Sequence, residues 1–130
     1  MKSKKSSLLV VFTIIVFFLI GVLLYVNVMK TSVFEFDLNA YQRKIDMFPS
    51  DKVLGPIQTT EEAKEKAEEV WKEIYGEKTI ENEKPFGVGF DENTGTWIVI
   101  GSVKPFHLGG AANIIMQKSD GKVLAVWHDK

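Results

Sequence analysis

The chain has 130 residues, which is enough for one small domain and one further element. It contains no cysteine, so disulfides, thiolate catalysis, cysteine-ligated metals and a lipid-modified cysteine are all excluded. The formal net charge of −1 conceals an asymmetry, because residues 31–130 hold 12 Lys or Arg against 17 Asp or Glu, a balance of −5. An acidic domain argues against nucleic acid as a partner and suits a basic protein.

The first predicted element is a transmembrane helix at residues 8–29, which carry no charge and are almost wholly apolar. A helix of that length spans roughly 33 Å, against about 30 Å of bilayer hydrocarbon. A cleaved signal peptide would have a shorter apolar core and a small-residue cleavage site, and no such site follows Tyr25. Three lysines precede the span, so residues 1–29 are predicted to be a signal anchor with a cytoplasmic tip, and the rest lies outside.

Residues 30–58 are expected to be a connecting region that is partly structured. Residues 34–38 alternate apolar and acidic side chains as a strand does, and residues 38–48 have apolar side chains at helical spacing. A plain linker would be poorer in aromatic residues, so part of this region should pack on the domain at residues 59–130.

The clearest helix is predicted over residues 60–75. Thr59 and Glu62 fit a capping box at its start, and Gly76 is placed to end it in the left-handed conformation. One face of this helix is apolar and is expected to point inward, with Ala63, Ala67, Val70, Trp71, Ile74 and Tyr75. The opposite face consists of Glu and Lys and is most simply a solvated surface.

An antiparallel meander of strands is predicted after the helix. Residues 96–103 form its strongest strand, because β-branched side chains dominate them. Asp120-Gly121 between two apolar runs is a hairpin signal. The expected fold class is therefore α+β, with an N-terminal transmembrane helix followed by one main helix packed on an antiparallel sheet.

No residue pattern indicates catalysis, a cofactor or a metal ion. His107 and His128 lack the ligand spacing of a metal site and the neighbours of an acid–base pair. The simpler interpretation is that His107 belongs to a loop and His128 to the end of a strand. The serines occur in no recognised nucleophile motif. We therefore expect no catalytic, cofactor-binding or metal-binding residue and no small-molecule substrate.

Two surfaces are candidates for binding a partner. One is the acidic face of the helix, where Glu65 and Glu69 suit a basic protein. The other is the loop after the strongest strand, because apolar side chains at a loop tip are costly to leave bare. That loop carries Lys104, Phe106, His107 and Leu108.

Motifs spread over residues 59–130 point to a known family through their order and spacing. They lie at residues 70–76, 84–86, 95–101, 109–110 and 118–124, and their distinctive positions are Trp71, Tyr75, Gly76, Pro85, Trp97, Gly101, Gly109, Gly110, Asp120 and Gly121. The pattern resembles the immunity proteins of bacterial polymorphic toxin systems that are assigned a nuclear-transport-factor-2-like fold, which is related in architecture to the cystatin-like fold.

The resemblance implies a non-enzymatic protein that binds a cognate toxin domain and blocks it in the producing cell or its kin. Together with the predicted span, it places the protein in the bacterial cell membrane as a single-pass, extracytoplasmic binding domain. The pattern is also similar to PepSY-like domains, so an inhibitory or regulatory envelope module that binds a resident membrane or cell-wall protein is the alternative. An enzyme is least favoured, since the assigned inward positions are apolar.

Overall fold

The computed structural model describes residues 2–30 and 33–130, and the chain divides into two compact units, Met1–Ser32 and Val33–Lys130. The first unit contains one helix, α1, at Lys2–Lys30. Within it, Lys4–Tyr25 is long and apolar enough to cross a membrane by length and composition, with a mean hydropathy of 3.1. A signal sequence meets the same criterion.

The second unit contains a five-stranded sheet whose strands follow one another in sequence order. Three antiparallel pairings join the last four strands, and the first strand pairs in parallel with the second. The predicted α+β fold class is confirmed. The elements are β1 Val33–Glu35, a 3₁₀ turn Leu38–Tyr41, α2 Gln42–Met47, α3 Thr60–Tyr75, α4 Glu77–Glu81, β2 Gly87–Asp91, β3 Thr96–Ile100, β4 Ala112–Gln117 and β5 Val123–His128.

The main helix, α3, begins as its sequence predicts. The Thr59 hydroxyl accepts a hydrogen bond from the Glu62 amide at 3.1 Å, while the Glu62 carboxylate accepts one from the Gln58 amide at 2.9 Å. Gly76 ends the helix with φ 91° and ψ 151°, a positive-φ conformation but not the expected left-handed helical one, because α4 begins at the next residue. The inward assignment of Ile74 is wrong, since this side chain is 48 % exposed.

Both faces of the sheet are covered, which explains why β3 and β4 are almost continuously apolar rather than alternating. On one face, α3 packs through Trp71 onto a core that includes Trp97 and Val99. On the other face, the segment at residues 36–45 packs onto a second core centred on Trp127. The three tryptophans are all buried. The second core is built from Ile98, Ile115, Ala125 and Trp127, with Phe36, Leu38, Tyr41, Ile45, Ile100 and Leu124 against it.

Residues 48–57, called here the edge strap, run along the outer edge of β5. Val53 forms an antiparallel bridge with Lys122, and the Val126 amide donates to the Phe48 carbonyl at 3.1 Å. The strap thus satisfies backbone groups of an edge strand that would otherwise be open to another chain.

The two ends of the sheet are distinguished by the strand register. Pairing aligns Val33 with Val88, Gly87 with Ile100, and Ala112 with His128. The start of β1 therefore lies at the same end as the loop between β3 and β4, and we call this the Val33 end. The turns at residues 92–95 and 118–122 lie at the opposite end, which we call the turn end.

Candidate functional site

A cleft of about 440 Å³ opens at the Val33 end of the sheet. Its walls come from α4 and the residues after it, from the loop between β3 and β4, and from the last residue of β5. Two glycines of the motif pattern, Gly109 and Gly110, form part of the loop wall. The polar lining residues are Thr79, Asn82, Glu83, Ser102, Lys104, His107 and His128.

Glu83 forms the buried floor of the cleft, at 7 % exposure. One carboxylate oxygen accepts a hydrogen bond from the Ala112 amide at 2.6 Å, and the other lies 3.0 Å from Nε2 of His128. The Glu83 carbonyl accepts from the Ser102 amide at 2.7 Å. One residue between α4 and β2 therefore ties together the start of β4, the end of β5 and the loop after β3.

His128 is held from both sides of its ring. Nε2 faces the Glu83 carboxylate, and Nδ1 lies 2.7 Å from the Asp129 carbonyl oxygen. Both partners are acceptors, so the doubly protonated imidazolium satisfies both hydrogen bonds. Burial lowers the pKa of His128, but the hydrogen bonds and charges of Glu83 and Asp129 outweigh it and raise the pKa above its ordinary value.

Tyr75 closes the α3 side of this arrangement. Its ring meets the His128 ring edge-on, with centroids 5.2 Å apart. Burial, and then the negative charge of Glu83, raise the pKa of the Tyr75 phenol. The phenol therefore stays neutral beside the Glu83–His128 pair.

The groups of the cleft that are most open to a ligand lie at its rim. Both ring nitrogens of His128 and both carboxylate oxygens of Glu83 already have protein partners. A ligand entering the cleft would first meet Lys104 and His107, which are exposed, and then Ser102, which is half-buried. Within residues 2–30 and 33–130, no three His, Cys, Asp or Glu side chains gather closely enough to hold a metal ion.

The structure separates the two surfaces that the sequence nominates for partner binding. Lys104, His107 and Leu108 line the cleft, whereas Phe106 projects from the same loop. Glu65 and Glu69 lie on the exposed side of α3 and do not line it. The candidate residues thus form two distinct surfaces rather than one.

Three motif glycines, Gly101, Gly110 and Gly121, owe their identity to close packing, whereas Gly76 and Gly109 have positive φ and open space around them. A Cβ atom on Gly101 would lie 2.7 Å from a carboxylate oxygen of Glu83, and one on Gly110 would lie 2.2 Å from the Asp129 Cβ. At the turn end, Gly121 has φ 69° and a Cβ there would lie 2.0 Å from the Gly55 carbonyl oxygen. Gly101 and Gly110 are therefore needed to bring the cleft walls together.

The remaining motif residues have structural contacts. Trp97 donates through its indole N–H to the Ile57 carbonyl at 3.0 Å, and the Trp71 indole points to the Asn113 carbonyl at 3.4 Å. The Pro85 carbonyl, which follows a cis peptide bond, accepts from the Ser102 hydroxyl. Asp120 accepts from the Lys122 amide at 2.9 Å and so shapes its turn.

Glu83 is the residue that sequence reasoning missed. In the sequence it stands in the polar run at residues 81–84, where nothing distinguishes it from solvated glutamates. The available signal was indirect: Gly101 follows a strand dominated by β-branched side chains, and a glycine there implies the close approach of another group.

A protein-family model described as "NTF2 fold immunity protein" matches residues 62–130, more than half of the chain. The chain belongs to this family of immunity proteins. The resemblance that its motifs indicated is therefore confirmed. No curated protein and no solved structure matches the chain.

The matched part of this immunity protein contains the whole cleft, most of α3 and the antiparallel meander. The matched residues exclude β1, α2 and the edge strap. The second core of the domain is thus assembled from matched strands and an unmatched N-terminal segment.

Proposed function

We propose that this immunity protein neutralises a cognate bacterial toxin domain by direct binding, outside the cell membrane, while α1 anchors it. The family match over residues 62–130 is the observation that carries the toxin-binding role. The apolar stretch Lys4–Tyr25, preceded by basic residues, supports the anchor and its orientation.

Binding without turnover fits the chemistry of the cleft. Glu83 and His128 are the groups best suited to proton transfer, and each is engaged by backbone or by the other. A catalytic acid or base needs an atom within hydrogen-bond reach of its substrate. We therefore propose that the pair fixes the shape of the cleft and that recognition alone inhibits the toxin.

We propose the exposed side of α3 as the surface that meets the toxin. Glu61, Glu65 and Glu69 follow one another at i, i+4 spacing, and no basic side chain in the described part of the chain pairs with them. Like charges at this spacing each cost about 0.2–0.5 kcal/mol. A basic surface on the toxin would relieve that repulsion and add steering at long range.

The experiment is co-expression of the full chain with the toxin C-terminal domain encoded by the neighbouring gene. Cell survival reports protection, and calorimetry on the purified pair reports affinity. We expect protection by the wild-type chain and binding at least about tenfold weaker for the double variant Glu65→Lys and Glu69→Lys, with the loss largest at low salt. The matched control reverses Glu35 and Glu92, which are exposed elsewhere.

Failure of the wild-type chain to bind or protect would refute the toxin-binding role. Crosslinking in cells would then seek a resident envelope partner. If the α3 variant and its control lost affinity for the toxin equally, the toxin-binding role would stand, but α3 would not be the surface that binds the toxin.

A further inference from the structure

The loop at residues 103–108, called here the apolar loop, exposes its largest apolar side chains completely. Phe106 and Leu108 are completely exposed, and Val103 is half exposed. Phe106 also has φ 67°, a conformation that bulky residues rarely adopt. The folded domain thus holds a Phe and a Leu in water although neither contributes to its core.

The apolar loop and the residues that flank it carry no acidic side chain. Residues 102–110 contain Lys104 and His107 and no carboxylate, in a domain that is acidic overall. Segments that enter the lipid headgroup region combine exposed apolar side chains with basic ones, as this loop does. Their apolar side chains reach the boundary of the acyl chains, and their cations contact anionic headgroups.

The position of the loop in the fold agrees with its composition. The sheet register places the apolar loop at the Val33 end. In the sequence, only residues 31 and 32 separate the last residue of α1 from Val33. If α1 is the anchor, the covalent chain tethers this end of the sheet, and not the turn end, to the bilayer.

We propose that the apolar loop inserts Phe106 and Leu108 into the headgroup region of the outer leaflet, with Lys104 at the anionic headgroups. This inference rests on the proposed anchoring by α1. A loop of this size would bind a free bilayer weakly, but attachment through α1 makes its insertion an intramolecular step at high effective concentration. The domain then has two attachments to the membrane, which fix the orientation of its exposed surfaces.

The test uses the full chain in vesicles of phosphatidylcholine and phosphatidylglycerol. The chain has no cysteine, so single-cysteine variants can be labelled with an environment-sensitive fluorophore at one site each. His107→Cys reports the apolar loop and preserves both apolar side chains. Glu92→Cys reports the turn end, and Gly21→Cys reports α1. Quenching is measured with nitroxides placed either at the lipid headgroup or near the acyl-chain centre.

We expect headgroup nitroxides to quench the label at position 107 and not the label at position 92, while acyl-chain nitroxides quench the label at position 21. Replacing Phe106 and Leu108 by Ser should reduce quenching at position 107 to the level of position 92. The matched control replaces Val53, exposed and bridged to Lys122 at the turn end, by Ser and should change nothing.

Equal quenching at positions 107 and 92, with position 21 still quenched, would overturn the insertion of the loop and leave the anchor intact. Loss of quenching at position 21 would overturn the anchor itself, and the loop proposal with it. The label at position 107 could instead be unaffected by the nitroxide lipids and become shielded from solvent when a toxin domain binds. That result would overturn membrane insertion and assign the apolar loop to toxin binding.

Discussion

At the scale of single residues, the Glu83–His128 pair gives the domain a pH-dependent contribution to stability. The groups facing His128 are Glu83, the Asp129 carbonyl and the Tyr75 ring, and Lys104 and His107 share the cleft. Because the folded protein raises the pKa of His128, the contribution is complete below the unfolded value of about 6.5. It is lost as the pH rises through the folded pKa.

We therefore expect His128→Gln to lower the free energy of unfolding by about 1 kcal/mol at pH 5.5 and by clearly less at pH 9. Urea titrations of the fragment 31–130 at several pH values would measure the difference between wild type and variant. A difference that grows with pH would contradict the assigned charge state of His128.

Two glycine substitutions can distinguish the stability cost of an unfavourable backbone conformation from the cost of steric crowding. Gly121 and Gly95 both have positive φ, but only a Cβ at Gly121 would strike another backbone, 2.0 Å from the Gly55 carbonyl oxygen. Gly95→Ala should cost about 1 kcal/mol from its conformation alone. Gly121→Ala should cost about 2–4 kcal/mol, because the edge strap must also move away from the turn at residues 118–122. Similar urea midpoints for the two variants would show that the strap yields without cost.

At the scale of elements, the N-terminal segment completes the second face of the sheet. The Tyr41 ring lies tilted against the Trp127 ring, with centroids 6.2 Å apart, and Phe36 meets Tyr41 edge-on at 5.8 Å. Without these side chains, Trp127 and Ile115 would face water. The segment is therefore a structural part of the domain although the family match excludes it.

A fragment that starts at residue 56 should accordingly be much less stable than one that starts at residue 31, by at least about 3 kcal/mol. The shorter fragment lacks β1, α2 and most of the edge strap. Urea unfolding followed by tryptophan fluorescence measures both midpoints. Tyr41→Ala in the longer fragment is the graded control and should lie between them. Equal midpoints for the two fragments would show that the segment contributes no stability.

The same elements mark how far the sequence alone could predict this fold. Local signals were sufficient for α3, with its cap and period, and for the hairpin at Asp120-Gly121. The parallel pairing of β1 depends on contacts with Val88, far along the chain, for which no local pattern exists. Periodicity assigned Ile74 to the core, although this side chain is 48 % exposed. It did not reveal the burial of Glu83, because the partners of that carboxylate, Ala112 and His128, lie far along the chain.

At the scale of the whole molecule, the charge distribution around α1 predicts its orientation. Three lysines precede the apolar stretch, so the N-terminus should remain in the cytoplasm. In intact cells, a membrane-impermeant maleimide should label Glu92→Cys and should label Ser3→Cys only after lysis. Replacing the lysines at positions 2, 4 and 5 by Glu should weaken or reverse this difference. Labelling of Ser3→Cys in intact wild-type cells would contradict the orientation.

The course of the chain between the two faces of the sheet has a consequence for biosynthesis. The ribosome releases α2 and the edge strap early, yet β5, the strand that both of them contact, is the last to be made. Native pairing of such distant segments is slow, and until it occurs the aromatic side chains of the second core remain accessible to chaperones and proteases. A newly made copy of the immunity protein would therefore neutralise its toxin only after a lag, once β5 has joined the segments that were made before it.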